Sequence, residues 1–153
     1  MSRAHVRKFL VWGLRWIMAG TFVFAAYGKI LDPGAFAVDV ANYQMVGDPW
    51  IRITAVFLPW LELWCAVALL AIPPFRRSAW WLFLAMLAGF TWAKAAAITS
   101  GLEISCGCFG GDTQLGWMDL GVNALLVGVC VLGLWLDHRW IQPPRTVSAL
   151  VVA

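Results

Sequence analysis

Ile51-Arg52-Ile53-Thr54-Ala55-Val56-Phe57-Leu58-Pro59-Trp60-Leu61-Glu62-Leu63-Trp64-Cys65-Ala66-Val67-Ala68-Leu69-Leu70-Ala71-Ile72 is the stretch that decides the fold. Only Arg52, Thr54 and Glu62 interrupt its apolar run. Wound as an α-helix at about 1.5 Å per residue it extends about 33 Å, matching a bilayer's hydrocarbon layer. Three further stretches of similar character lie at about 9–31, 79–99 and 117–136. With 62% hydrophobic and 12% charged residues in 153, and a mean hydropathy of +0.79, so much apolar surface cannot be hidden inside a soluble domain. The expectation is an all-α integral membrane four-helix bundle, a single domain over residues 1–153.

Breakers punctuate the spans. Asp32-Pro33-Gly34 closes the first, Asp48-Pro49 precedes the second and Pro73-Pro74 ends it. Between spans one and two, Phe36, Val40 and Tyr43 recur at helical spacing with Asp39, Asn42 and Gln44 among them. That pattern predicts a short interfacial helix over 36–46. The first span follows Arg3, Arg7 and Lys8 as a signal peptide would, but its length and its lack of a small-residue cleavage site mark it as retained.

Orientation follows from the basic residues. Arg3, Arg7 and Lys8, then Arg76 and Arg77, then Arg139 and Arg145 fall on one side and belong to the cytoplasm. The other loops are mostly acidic, with Lys29 and Arg52 at adjoining helix ends, and face outward. In a bacterial inner membrane this puts both termini in the cytoplasm and the loop at about 100–116 in the periplasm. The net charge of +3 is explained by this topology and gives no reason to expect nucleic acid.

Polar groups inside a bilayer each require a partner or a purpose. Arg15 and Lys94 lie about 9 Å from the nearer face, close enough for their stems to snorkel outward. Glu62 lies near the midplane, where its carboxyl must be protonated, paired or open to a polar pocket. Pro59 frees the carbonyl of Ala55 and predicts a bend just above it. Lys94 and Asn123 are the expected partners of Glu62, together shaping a polar cavity under the outward loop. Ala85, Gly89, Ala93 and Ala97 form a small-residue stripe suited to helix packing. Most of the eleven tryptophans, Trp80 and Trp81 among them, read as interfacial anchors, while Trp60, Trp64 and Trp92 sit deeper. Cys65 and Cys130 read as apolar fillers.

The chemistry concentrates in Cys106-Gly107-Cys108-Phe109-Gly110-Gly111. Two cysteines one residue apart can close a small disulfide ring, hold a soft metal jointly, or exchange electrons with another protein's thiols. Such a ring is torsionally demanding, and strained disulfides are the more oxidising ones. Gly107 gives the ring backbone freedom, and Phe109 offers a partner an apolar contact. Structural zinc usually wants four ligands, yet His5 and His138 fall on the opposite side. Copper(I) or mercury(II), which accept two thiolates, stay open, as does a purely structural disulfide.

These residues resemble a family. Gly28-Lys29 with Asp32, Tyr43, Leu58-Pro59-Trp60-Leu61-Glu62-Leu63, Cys106-Gly107-Cys108-Phe109-Gly110 and Asn123 are similar to the membrane proteins of methylamine utilisation known as MauE, grouped with DoxX-like redox-associated proteins. The resemblance implies a four-helix inner-membrane protein needed for maturation of a periplasmic, disulfide-rich partner, by family association the small subunit of methylamine dehydrogenase. In the leading mechanism, a relay through Cys106 and Cys108 is reoxidised by a periplasmic thioredoxin-like protein or by a quinone held near Pro59, Trp60 and Glu62. Two other readings remain: a membrane scaffold for a periplasmic maturation factor, and a copper or mercury transporter.

Overall fold

The computed structural model describes residues 3–101 and 116–141. Its elements are α1 (Arg3–Leu31), α2 (Pro33–Asn42), α3 (Trp50–Ala71), a 3-10 turn (Pro73–Phe75), α4 (Arg76–Thr99) and α5 (Trp117–Ile141). Four segments are long and apolar enough to cross a membrane: His5–Leu31, Trp50–Ala71, Pro73–Thr99 and Trp117–Asp137.

The breakers act where expected, with one shift. The helix between the first two spans begins at Pro33, three residues before Phe36, because Asp32 caps it: Ala35 N donates to Asp32 Oδ1 at 2.8 Å, and Pro33 occupies the first helical position. It stops at Asn42, short of Val46, and Gln44 then adopts φ 54°. α3 runs through Pro59 to Ala71, where Pro73 prevents continuation.

Neighbouring helices follow the order α1, α3, α4, α5 and back to α1, while α2 rests on α3 and α1 outside that ring. α1 and α4 meet across the centre through Phe22 and Phe83, whose ring centroids are 4.4 Å apart. Met18, Leu69, Trp80, Leu87 and Cys130 fill the rest of the core. Phe9, Trp16, Phe24, Phe57, Trp64 and Leu125 are exposed on the outside. An apolar exterior suits a hydrocarbon solvent, so the fold defines a multi-pass helical membrane protein.

Two sequence expectations fail here. Trp80 is fully buried rather than interfacial, because its indole lies flat against α5 at Gly133. A Cβ at Gly133 would come within 2.4 Å of Trp80 Cη2. The stripe on α4 contributes only Ala97 to the buried surface, while Ala85 and Gly89 are exposed. Close helix approach is provided instead by Gly133 under Trp80. Gly133→Ala is expected to cost about 1–3 kcal/mol through overpacking, read as a lowered midpoint of thermal unfolding in detergent; an unchanged midpoint would mean the indole moves aside freely.

Candidate functional site

Glu62 is fully buried on α3, and its partner is neither Lys94 nor Asn123. Lys29 Nζ, near the end of α1, donates to Glu62 Oε1 at 2.6 Å. Its place at the end of span one predicted an outward position for Lys29. The lysine stem instead reaches inward and carries its charge to the depth of Glu62. The ammonium also lies 5.1 Å from the ring centre of Phe36 on α2 and 5.4 Å from that of Phe90 on α4. One side chain from α1 thereby contacts α2, α3 and α4. Glu62 Oε2 is buried without a hydrogen-bond partner among the described residues. Beside it, a void of about 30 Å³ is lined by Lys29, Thr21, Leu87 and Leu126, large enough for one water molecule.

Asn123 has a different task. Its Nδ2 donates to Leu87 O at 3.2 Å and to Thr91 Oγ1 at 2.8 Å, tying α5 to α4. Lys94 does not snorkel into water. It is only 4% exposed and lines a cavity of about 300 Å³ under α2, together with Lys29, Tyr43, Leu58, Phe90 and Trp92. The helix between the first two spans roofs this cavity, and the structure brings Lys29, Tyr43 and Lys94 to it.

Pro59, Trp60 and Glu62 do not share a face. Pro59 and Glu62 are buried, whereas Trp60 is half exposed on the outer surface. Room for a ligand near this part of α3 lies on the Leu58 side. Cys65 and Cys130 are free and buried, and Cys130 Sγ donates to Trp80 O at 3.2 Å. Cys106, Cys108, Phe109 and Gly110 lie outside the described residues.

The sequence reading missed a second buried ion pair at the opposite end. Arg15, expected to snorkel, is 7% exposed and clasps Asp137 with Nη2 to Oδ1 at 2.5 Å and Nε to Oδ2 at 3.3 Å. Trp80 Nε1 donates to the same Oδ2 at 2.7 Å. The expected span boundaries hid this pairing, putting Arg15 about 9 Å inside the membrane and Asp137 just past the end of span four, whereas α5 continues as helix to Ile141. Trp80→Phe removes the donor and part of the buried ring system, and is expected to cost at least about 2 kcal/mol, as the bond to a charged group and the lost packing add together. Thermal unfolding checks it; a midpoint equal to the parent's would assign the bond no net value.

Buried ion pairs linking its helices and a largely apolar cavity lined by Lys29, Lys94 and Asp39 define a membrane bundle with a polar interior site. The chain matches the family model "Methylamine utilisation protein MauE" over residues 7–136. It is 33% identical over 113 residues to the methylamine utilization protein MauE of Methylophilus methylotrophus, covering 73% of this chain and 58% of that one. It is 30% identical over 138 residues to the protein of the same name from Paracoccus denitrificans, covering 86% and 72%. The Paracoccus versutus protein is 32% identical over 134 residues, with the same coverage. The match thus spans little more than half the length of the Methylophilus relative. No solved structure matches. The chain belongs to the MauE family.

Proposed function

We propose that this protein is a membrane-embedded thiol–disulfide relay that serves maturation of a disulfide-rich periplasmic protein in methylamine utilisation, by resemblance the small subunit of methylamine dehydrogenase. The observation that carries the reading is the family match over residues 7–136, which takes in both Cys106 and Cys108. The bundle holds the loop's flanking helices α4 and α5 side by side, so the loop is tethered at both ends to a fixed frame. Its orientation in this reading is cysteine loop outward and both termini in the cytoplasm.

A thiolate of the partner attacks the Cys106–Cys108 disulfide, breaking the S–S bond, forming a mixed disulfide and releasing one cysteine of the pair as a thiolate. The partner's second thiolate then attacks the mixed disulfide and frees the other cysteine. The partner has lost two electrons and two protons, and the pair is a dithiol. Reoxidation passes both electrons and both protons to an acceptor, either a thioredoxin-like disulfide or a lipid quinone. Were the acceptor a quinone, Lys29 and Lys94 would be the residues placed to donate to its carbonyl oxygens, beside Asp39 and between the apolar walls of Leu58, Phe90 and Trp92.

The test is the reduction potential of the Cys106–Cys108 pair in purified protein, by thiol trapping in graded glutathione buffers. A potential at or above those of periplasmic thiol oxidoreductases is expected. A bond resistant to every physiological reductant would leave the loop a structural staple and end the relay reading.

A further inference from the structure

At the end of the bundle that carries the basic N-terminus, a cavity of about 400 Å³ opens between α1, α4 and α5. Lys8, Arg15 and Arg76 line it with a single acidic side chain, Asp137. Both oxygens of that carboxylate are already engaged, by Arg15 and by Trp80 Nε1. Arg76 directs Nε and Nη2 to the carbonyls of Leu69 and Leu70 at the end of α3, each at 3.3 Å. Those acceptors are neutral and leave its charge uncancelled. Trp12 lies between the two guanidinium groups, with Arg15 Cζ 5.5 Å and Arg76 Cζ 5.8 Å from its ring centre. One indole thus gathers two like charges, an arrangement that a bound anion would relieve.

We propose that this cavity binds the phosphate-bearing headgroup of an anionic phospholipid. Charge complementarity selects an anion, since Arg76 has only neutral acceptors and the one carboxylate lining the cavity is engaged by Arg15 and Trp80. Position selects a lipid over a soluble anion. The cavity lies where α1 and α4 enter their apolar spans and α5 leaves its own, at headgroup level, and Val11, Trp12 and Pro73 give it an apolar wall. Basic pockets between helices at this level are suited to such headgroups. Arg15 is built into the site by its buried pairing with Asp137, while Lys8 is on the exposed rim.

The experiment uses the purified full chain in detergent, with phosphatidylglycerol, phosphatidylcholine or inorganic phosphate added, read by native mass spectrometry and by the thermal midpoint. Phosphatidylglycerol is expected to be retained and to raise the midpoint, and phosphatidylcholine to do neither. Lys8→Glu, at an exposed position, is expected to weaken retention several-fold with the helical circular dichroism unchanged; Arg76→Gln, if folded by the same criterion, weakens it further. Equal retention of both lipids, or full retention by Lys8→Glu, would overturn the proposal. Inorganic phosphate that displaces the lipid and raises the midpoint equally would also overturn it, in favour of a soluble anion.

Discussion

Changing either Cys106 or Cys108 to serine is expected to reduce oxidation of the partner to the uncatalysed level, because one thiol alone cannot hold the disulfide that accepts the partner's electrons. The two variants should differ in what they trap. Charged with oxidised glutathione, the lone cysteine that is first attacked passes to a single-thiol form of the partner, with glutathione leaving as the thiolate, and the mixed disulfide is visible on a non-reducing gel. The other variant traps little. Membrane insertion should be unaffected, since the core of the described bundle is built from the spans themselves. Normal partner maturation with both variants would remove the relay reading altogether and leave the scaffold.

The second large effect concerns the buried pair of Lys29 and Glu62. Lys29→Met strands a carboxylate that is fully buried, and Glu62→Leu strands an ammonium in an apolar setting. Each is expected to cost about 3–5 kcal/mol, the usual penalty for breaking one side of a buried pair. The double variant removes both charges together and is expected to recover most of the loss. Thermal midpoints of the four proteins form the cycle that measures this coupling. Equal midpoints for the parent and the single variants would show that water reaches the pair. The folded double variant then separates stability from chemistry. If it still oxidises the partner at the parent's rate, the pair is a clasp alone; if it folds but exchanges slowly, its charges act on the relay.

Span number and span ends were legible because bilayer thickness and proline geometry act locally on the chain. Asp32-Pro33 ends one helix and starts the next for reasons contained in those residues. Pairing was less legible. Glu62 was recognisable as a residue in need of a partner, but choosing among Lys29, Lys94 and Asn123 depends on how far each helix is displaced along its axis. That displacement is a property of packing rather than of any one segment. The burial of Trp80 had the same origin: a tryptophan at a span end ordinarily anchors in the interface, and only Gly133 on another helix admits it to the core. The role of Tyr43 as part of a roof over Lys29 and Lys94 could be read only in part, since the fold of α2 was foreseen but not the cavity beneath it.

The closed order of helices bears on how the molecule is made. Each span leaving the ribosome finds its neighbour already inserted: α3 docks on α1, α4 on α3, and α5 on α4. Closure onto α1 comes last. Arg15 is made 122 residues before Asp137, so through most of synthesis it enters the membrane without its carboxylate. A chain halted after α4 would carry an unmatched arginine toward the bilayer interior, a mark by which an unfinished molecule differs from a finished one.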